Sequence, residues 1–234
     1  MRMPPQQPRG PNLPPRGPTP PRGPAAAKPA ASRTAPRRAP RQLPAWLARA
    51  RNLVVSPSQE WTTIAGEFAT TGSIYTRYVL PTAAIGPVAS TLGTIAFGER
   101  SSLATLGDSY AMSVGDALTT GVLEYGLSLV GVWALAMLID LLAPSLGAQR
   151  NPVQALKVAA YGSTPYWFAG ALAVLPKLAP IGALLGFYSI RLFALGLALV
   201  LKVPRDKAAA YTLLASIGGI IVVLVIGALS RVFV

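Results

Sequence analysis

Cysteine and histidine are both absent from the 234 residues. Their absence excludes disulfides, thiolate nucleophiles and imidazole bases, and removes the usual ligands of zinc, copper and haem. Charge is scarce as well. Charged residues make up 12% of the chain, about half of what a soluble domain carries. Acidic residues are the scarcest, 8 Asp and Glu against 21 Lys and Arg, and none precedes Glu60. Eleven of the basic residues lie at or before Arg51, so the N-terminal arm holds nearly all of the net charge of +13. The start, MRMPPQQPRG, lacks the apolar core of a signal peptide, so the arm is expected to stay on the side of synthesis.

What is abundant falls into two kinds of polymer. Residues 1–44 hold 14 of the 23 prolines, mixed with Arg, Gly and Ala. Such a tail cannot bury apolar surface and is expected to be disordered and extended. It reads either as a polybasic arm for anionic lipid head groups, nucleic acid or an acidic partner, or as a solvated segment that only sets topology. The rest is rich in apolar runs of the ~20 residues that cross a bilayer core. The fold class is an all-α integral membrane protein.

Residues 45–77 read as amphipathic helices at the membrane interface. Trp46, Leu47, Ala50, Leu53 and Val54 share a helical face, and Ser56 has the position of an N-cap with Pro57 after it. Five spans follow, at about 78–97, 121–143, 153–175, 180–201 and 208–229. Pro81 and Pro87 predict a kink in the first. Gly98–Thr120 reads as a polar loop with a short surface helix from Leu103. Counting Lys and Arg places seventeen on the tail's side and three opposite. The N-terminus is therefore expected in the cytoplasm and the C-terminus outside.

Arg191 lies near the middle of the fourth span, where an isolated charge costs at least ~2.5–3.5 kcal/mol. It is expected to pair with Asp140 or Glu124, or with hydroxyls such as Tyr161 and Tyr166. Either an ion, substrate or lipid-phosphate site or a structural ion pair would satisfy it. Pro165 cannot donate to the Tyr161 carbonyl, so Tyr161-Gly162-Ser163-Thr164-Pro165 breaks the third span. Such breaks line binding sites in transporters, and they also occur as packed kinks. With Tyr188, these residues form the candidate intramembrane polar site. Gly182 and Gly186, and Ala215 and Gly219, give two spans small faces for close helix contact, within the chain or against a second copy. Glu124 and Asp140 are ~24 Å apart along one helix and cannot act as a paired acid and base. No catalytic, cofactor or metal residues are expected.

In order and spacing, several motifs resemble the Yip domain family, its bacterial branch in particular. They are Pro57…Trp61-x-x-Ile64-x-x-Glu67, Tyr78-Val79-Leu80-Pro81, Tyr161-Gly162-Ser163-Thr164-Pro165, Leu175-Pro176, Tyr188-Ser189 and Lys202-Val203-Pro204-x-x-Lys207-Ala208. The resemblance implies a five-span bundle with a cytoplasmic N-terminal region. In eukaryotic members it implies binding of Ypt/Rab GTPases. The Ala-, Arg- and Pro-heavy usage suits a GC-rich bacterium, where a Rab partner is not expected and the inner membrane is. The expected function is a non-enzymatic scaffold or adaptor that binds partner proteins or lipids through its spans and tail. The competing reading is a small transporter or channel using Arg191 and the broken third span.

Overall fold

The structure, a computed structural model, describes residues 43–101 and 109–232, with Gly17 alone before them. The predicted tail therefore lies almost wholly outside the described residues. Contacts divide the chain into Met1–Arg41 and Gln42–Val234, and the fold below is that of the second unit.

Two short helices open it, α1 (Ala45–Val55) and α2 (Pro57–Gly66), broken at Ser56. Pro57 starts α2 because its missing N–H is an orphan at that position anyway. Ser56 occupies the N-cap position, but its side chain makes no capping hydrogen bond. Part of the apolar face of the pair is covered: Ala50, Leu53, Trp61 and Ile64 are buried, whereas Val54 is exposed.

Four helical stretches are long and apolar enough to cross a membrane: Thr71–Phe97, Val114–Leu142, Pro176–Val200 and Arg205–Ser230. The first combines α3 (Thr71–Ile74), a π-type turn at Tyr75–Val79, α4 (Leu80–Ala83) and α5 (Ile85–Phe97). It starts seven residues before the predicted boundary because Thr70 and Ser73 form a reciprocal capping box. The expected kink is present: the Leu80 N–H reaches the Tyr75 carbonyl, and α4 gives way to α5 at Ala84.

Gly98, with φ of +70°, ends α5 in the left-handed conformation and turns the chain into a small hairpin of β1 (Glu99–Ser101) and β2 (Ser109–Ala111). The predicted surface helix from Leu103 falls mostly outside the described residues, and Ser109–Ala111 is strand. α6 (Val114–Leu142) begins earlier than the predicted second span because the Ser113 side chain accepts from the Asp116 N–H.

The predicted third span is present as a broken helix: α7 (Pro152–Gly162), α8 (Thr164–Ala169) and a 3₁₀ stretch, Gly170–Val174. Counted with the other four stretches, it accounts for five spans. α9 (Ala179–Gly186) and α10 (Tyr188–Val200), offset at Phe187, form the fourth, and α11 (Arg205–Val232) the fifth.

In lipid no hydrophobic force draws helices together, so close backbone approach and buried polar contacts hold the spans. A Cβ at Gly170 would lie 2.8 Å from the Gly86 Cα, which sets the crossing of α5 with the 3₁₀ stretch. Hydroxyls tie further pairs: Tyr75 donates to the Leu129 carbonyl (2.9 Å), Tyr125 to that of Leu80 (3.2 Å), and Tyr211 to that of Ile139. The turns that precede α7 and α11 meet at one end, where Pro204 lies against Gly147. The β-hairpin and the Pro176–Leu178 turn lie together at the other.

Candidate functional site

Two clusters of polar groups sit inside the bundle. The first holds the N-terminal helices in place. α2 runs beside α10, with Trp61 filling the gap left by Gly196, where a Cβ would lie 2.8 Å from its ring. Tyr188 donates to the Val54 carbonyl at 3.2 Å. Tyr188 and Gly196 are ~12 Å apart along α10. The α1–α2 pair thus stands along the spans as a hairpin, with its apolar tip at Val54 and Val55.

Arg49 clasps the hairpin to itself. It lies 2.6 Å from the Glu67 carboxylate and 3.7 Å from that of Glu60, and Asn52 donates to Glu60 at 3.1 Å. Burial lowers the Arg49 pKa, but the Glu67 hydrogen bond and nearby charges outweigh it and hold the guanidinium charge more firmly than usual. Lys157, fully buried on α7, donates to the Ile64 and Glu67 carbonyls at 2.9 and 2.6 Å. A cation at the C-terminus of α2 meets the negative end of that helix. Trp61, Tyr78 and Tyr161 stack edge to face beside it, and the Arg49 guanidinium lies 5.4 Å from the Tyr161 ring centre. This cluster reads as structural: most of its polar roles are filled from within the chain, although Arg49 Nη1 and Trp61 Nε1 are buried without a hydrogen-bond partner.

The break in the third span is filled likewise. The Thr164 hydroxyl donates to the Tyr161 carbonyl that Pro165 leaves free (2.6 Å), and the Tyr78 hydroxyl donates in turn to Thr164 (2.7 Å). Ser163 donates to the Ala159 carbonyl at 2.8 Å.

Arg191 departs from expectation. It is exposed, and its recorded contact is the Tyr188 ring, 5.9 Å away. Neither predicted carboxylate reaches it. Asp140 is held by Arg150 at 2.9 Å, near the end where α6 turns into α7, and Glu124 is held by Arg100. Competing cations close to each acid took both partners.

The second cluster was not legible as one. Arg100, on β1, folds back into the bundle and is 1% exposed. Its Nη2 donates to Glu124, while its Nε and Nη1 are buried without a hydrogen-bond partner. Arg100 is one wall of a chamber of about 60 Å³ that Ser90, Glu124, Ser128, Tyr166 and Gly170 also line. Beside it, between α6, α8–α10 and α11, runs an apolar groove of about 390 Å³. The two share Ser128, Tyr166, Trp167, Val223 and Ile226 as walls.

Several predicted residues meet in the groove. Ser163, Tyr166, Gly186 and Gly219 line it, together with Ser189, whose buried hydroxyl has no partner. A Cβ at Gly186 would lie 3.9 Å from the Tyr166 ring, with no second helix backbone as near, and one at Gly219 would touch Phe193 and Leu135. Ala215 and Gly182 are buried in the packing between spans. Thus the two small-residue faces serve partly to leave space. A buried arginine in a loop between spans is the signal that would have found the chamber, but exposure of that loop was the natural reading.

The description "Yip1 domain" matches residues 51–227. The chain is 27% identical over 179 residues to the inner membrane protein YohC of Escherichia coli strain K12, covering 74% of this chain and 89% of that protein. The protein of that name from Escherichia coli O6:H1 aligns to the same extent. No solved structure matches the chain significantly.

Proposed function

The chain belongs to the Yip1 domain family, and from that premise we propose that it is a non-enzymatic adaptor of the bacterial inner membrane that holds a lipid between its spans. The observation that carries this reading is the groove of about 390 Å³ at mid-span, a volume in the range of ligand sites. Its lining is largely apolar, with Ser128, Ser163, Ser189 and Ser216 among the few polar residues, which suits an acyl chain. The inner-membrane location is carried over from the YohC relatives. Absence of an enzyme activity is supported by the composition and by the two intramembrane acids, each held by its own arginine. The basic arm would add contacts with anionic head groups, ~1 kcal/mol per well-placed Lys or Arg.

Native mass spectrometry from nanodiscs tests this reading on the full-length protein, a deletion of residues 1–44, and Gly186→Phe, which fills the groove. About one lipid per chain is expected in the first two samples and loss in the third. A protein lost with the arm would instead identify the adaptor's partner. Lipid-free protein in all three would remove the reading. The transport alternative keeps one support, the Ser163 break beside the groove; Arg191 lends it none, because it lines neither cavity.

A further inference from the structure

Resting on the reading of the groove as a lipid site, we infer that the Arg100 chamber binds the head of that lipid, and that the head is uncharged and carries hydroxyl or ester oxygens. Arg100 is almost fully buried, with Nε and Nη1 unpartnered. A guanidinium offers five N–H donors, and the single contact with Glu124 leaves most of them idle. Buried donors left without acceptors are costly, so the chamber calls for oxygen acceptors. Ser90 and Ser128 border it and can exchange hydrogen bonds with hydroxyl groups.

Charge decides the class of head. Glu124 already neutralises Arg100, and among the described residues no second cation lines the chamber. A phosphate or carboxylate would place two negative charges against one positive inside a low-dielectric site, where an uncompensated charge is strongly unfavourable. A glycerol or ester head supplies acceptors without that cost. The shared wall at Tyr166 and Trp167 puts head and chain in register: the head in the chamber of about 60 Å³, the chain in the groove. The assigned ligand class is a neutral acylglycerol.

The test uses the full-length protein in nanodiscs with a photoactivatable monoacylglycerol whose diazirine lies mid-chain, followed by mapping of labelled peptides. Label is expected on the groove walls in 183–193 and 219–226. Excess monooleoylglycerol should compete at concentrations about tenfold lower than oleate does, the size of one charge-assisted hydrogen bond. Arg100→Met combined with Glu124→Gln removes the donors while keeping charge balance, so folding is preserved where Arg100→Met alone would strand an acid. The double variant should lose about tenfold in apparent affinity for monooleoylglycerol. Equal competition by oleate, or unchanged affinity in the double variant, overturns the head assignment while groove labelling leaves the lipid reading intact. Absence of groove labelling overturns both.

Discussion

At Gly196 a hydrogen in place of a side chain is what admits the Trp61 ring between α2 and α10. Gly196→Leu should force the ring out, at about 1–3 kcal/mol for overpacking. The expected result is a lower unfolding midpoint in detergent, with proteolytic cleavage appearing within residues 45–70. Lys157→Met removes the donor to the Ile64 and Glu67 carbonyls and should lose about 1–3 kcal/mol. Faster amide exchange confined to the C-terminal turn of α2 would check it; unchanged exchange there would contradict the role given to Lys157. Residue chemistry was unevenly legible in the sequence. Pro165, Tyr161 and Thr164 could be read together because their interaction is local. The partners of Arg191, Asp140 and Glu124 could not, because helix rotation and the fold-back of a loop decide which charges meet.

Among the elements, the broken third span depends most on one side chain. Thr164 gives its proton to the Tyr161 carbonyl and receives that of Tyr78. Thr164→Val should strand both buried groups and destabilise the bundle by about 2–4 kcal/mol, whereas Thr164→Ser should restore most of the loss. Thermal unfolding of the purified variants in one detergent separates the two outcomes. The spans were readable because length and hydropathy carry that signal. Their starts were less so: the Thr70 and Ser113 caps extend helices into polar sequence that resembles loop. The β-hairpin was unreadable for a different reason. Three-residue strands have no period long enough to register, and only Gly98 marked a turn.

For the molecule as a whole, the native chain contains no cysteine to remove before labelling. Single cysteines at Ser145 and Lys177 flank the broken span. With five crossings and the N-terminus inside, Ser145→Cys should react with an impermeant maleimide only from the cytoplasmic side. Lys177→Cys should react only from the outer side. Labelling of both from one side would show that 152–174 does not cross. The number of spans could be read from composition because each is a local run. The chamber, in contrast, draws on α4 to α6, α8, the hairpin and α11, and no local pattern announces such a convergence.

That convergence has a consequence for synthesis in the membrane. Arg100 is made 24 residues before the acid that neutralises it, and Val223, Ile226 and Gly227, which also wall the chamber, follow much later in the chain. During translation the guanidinium must therefore wait in a hydrated setting while four further helical passes are threaded. Without α11 the chamber stays open on the side that Val223, Ile226 and Gly227 wall, so the Arg100–Glu124 pair gains its full cover only when that helix packs.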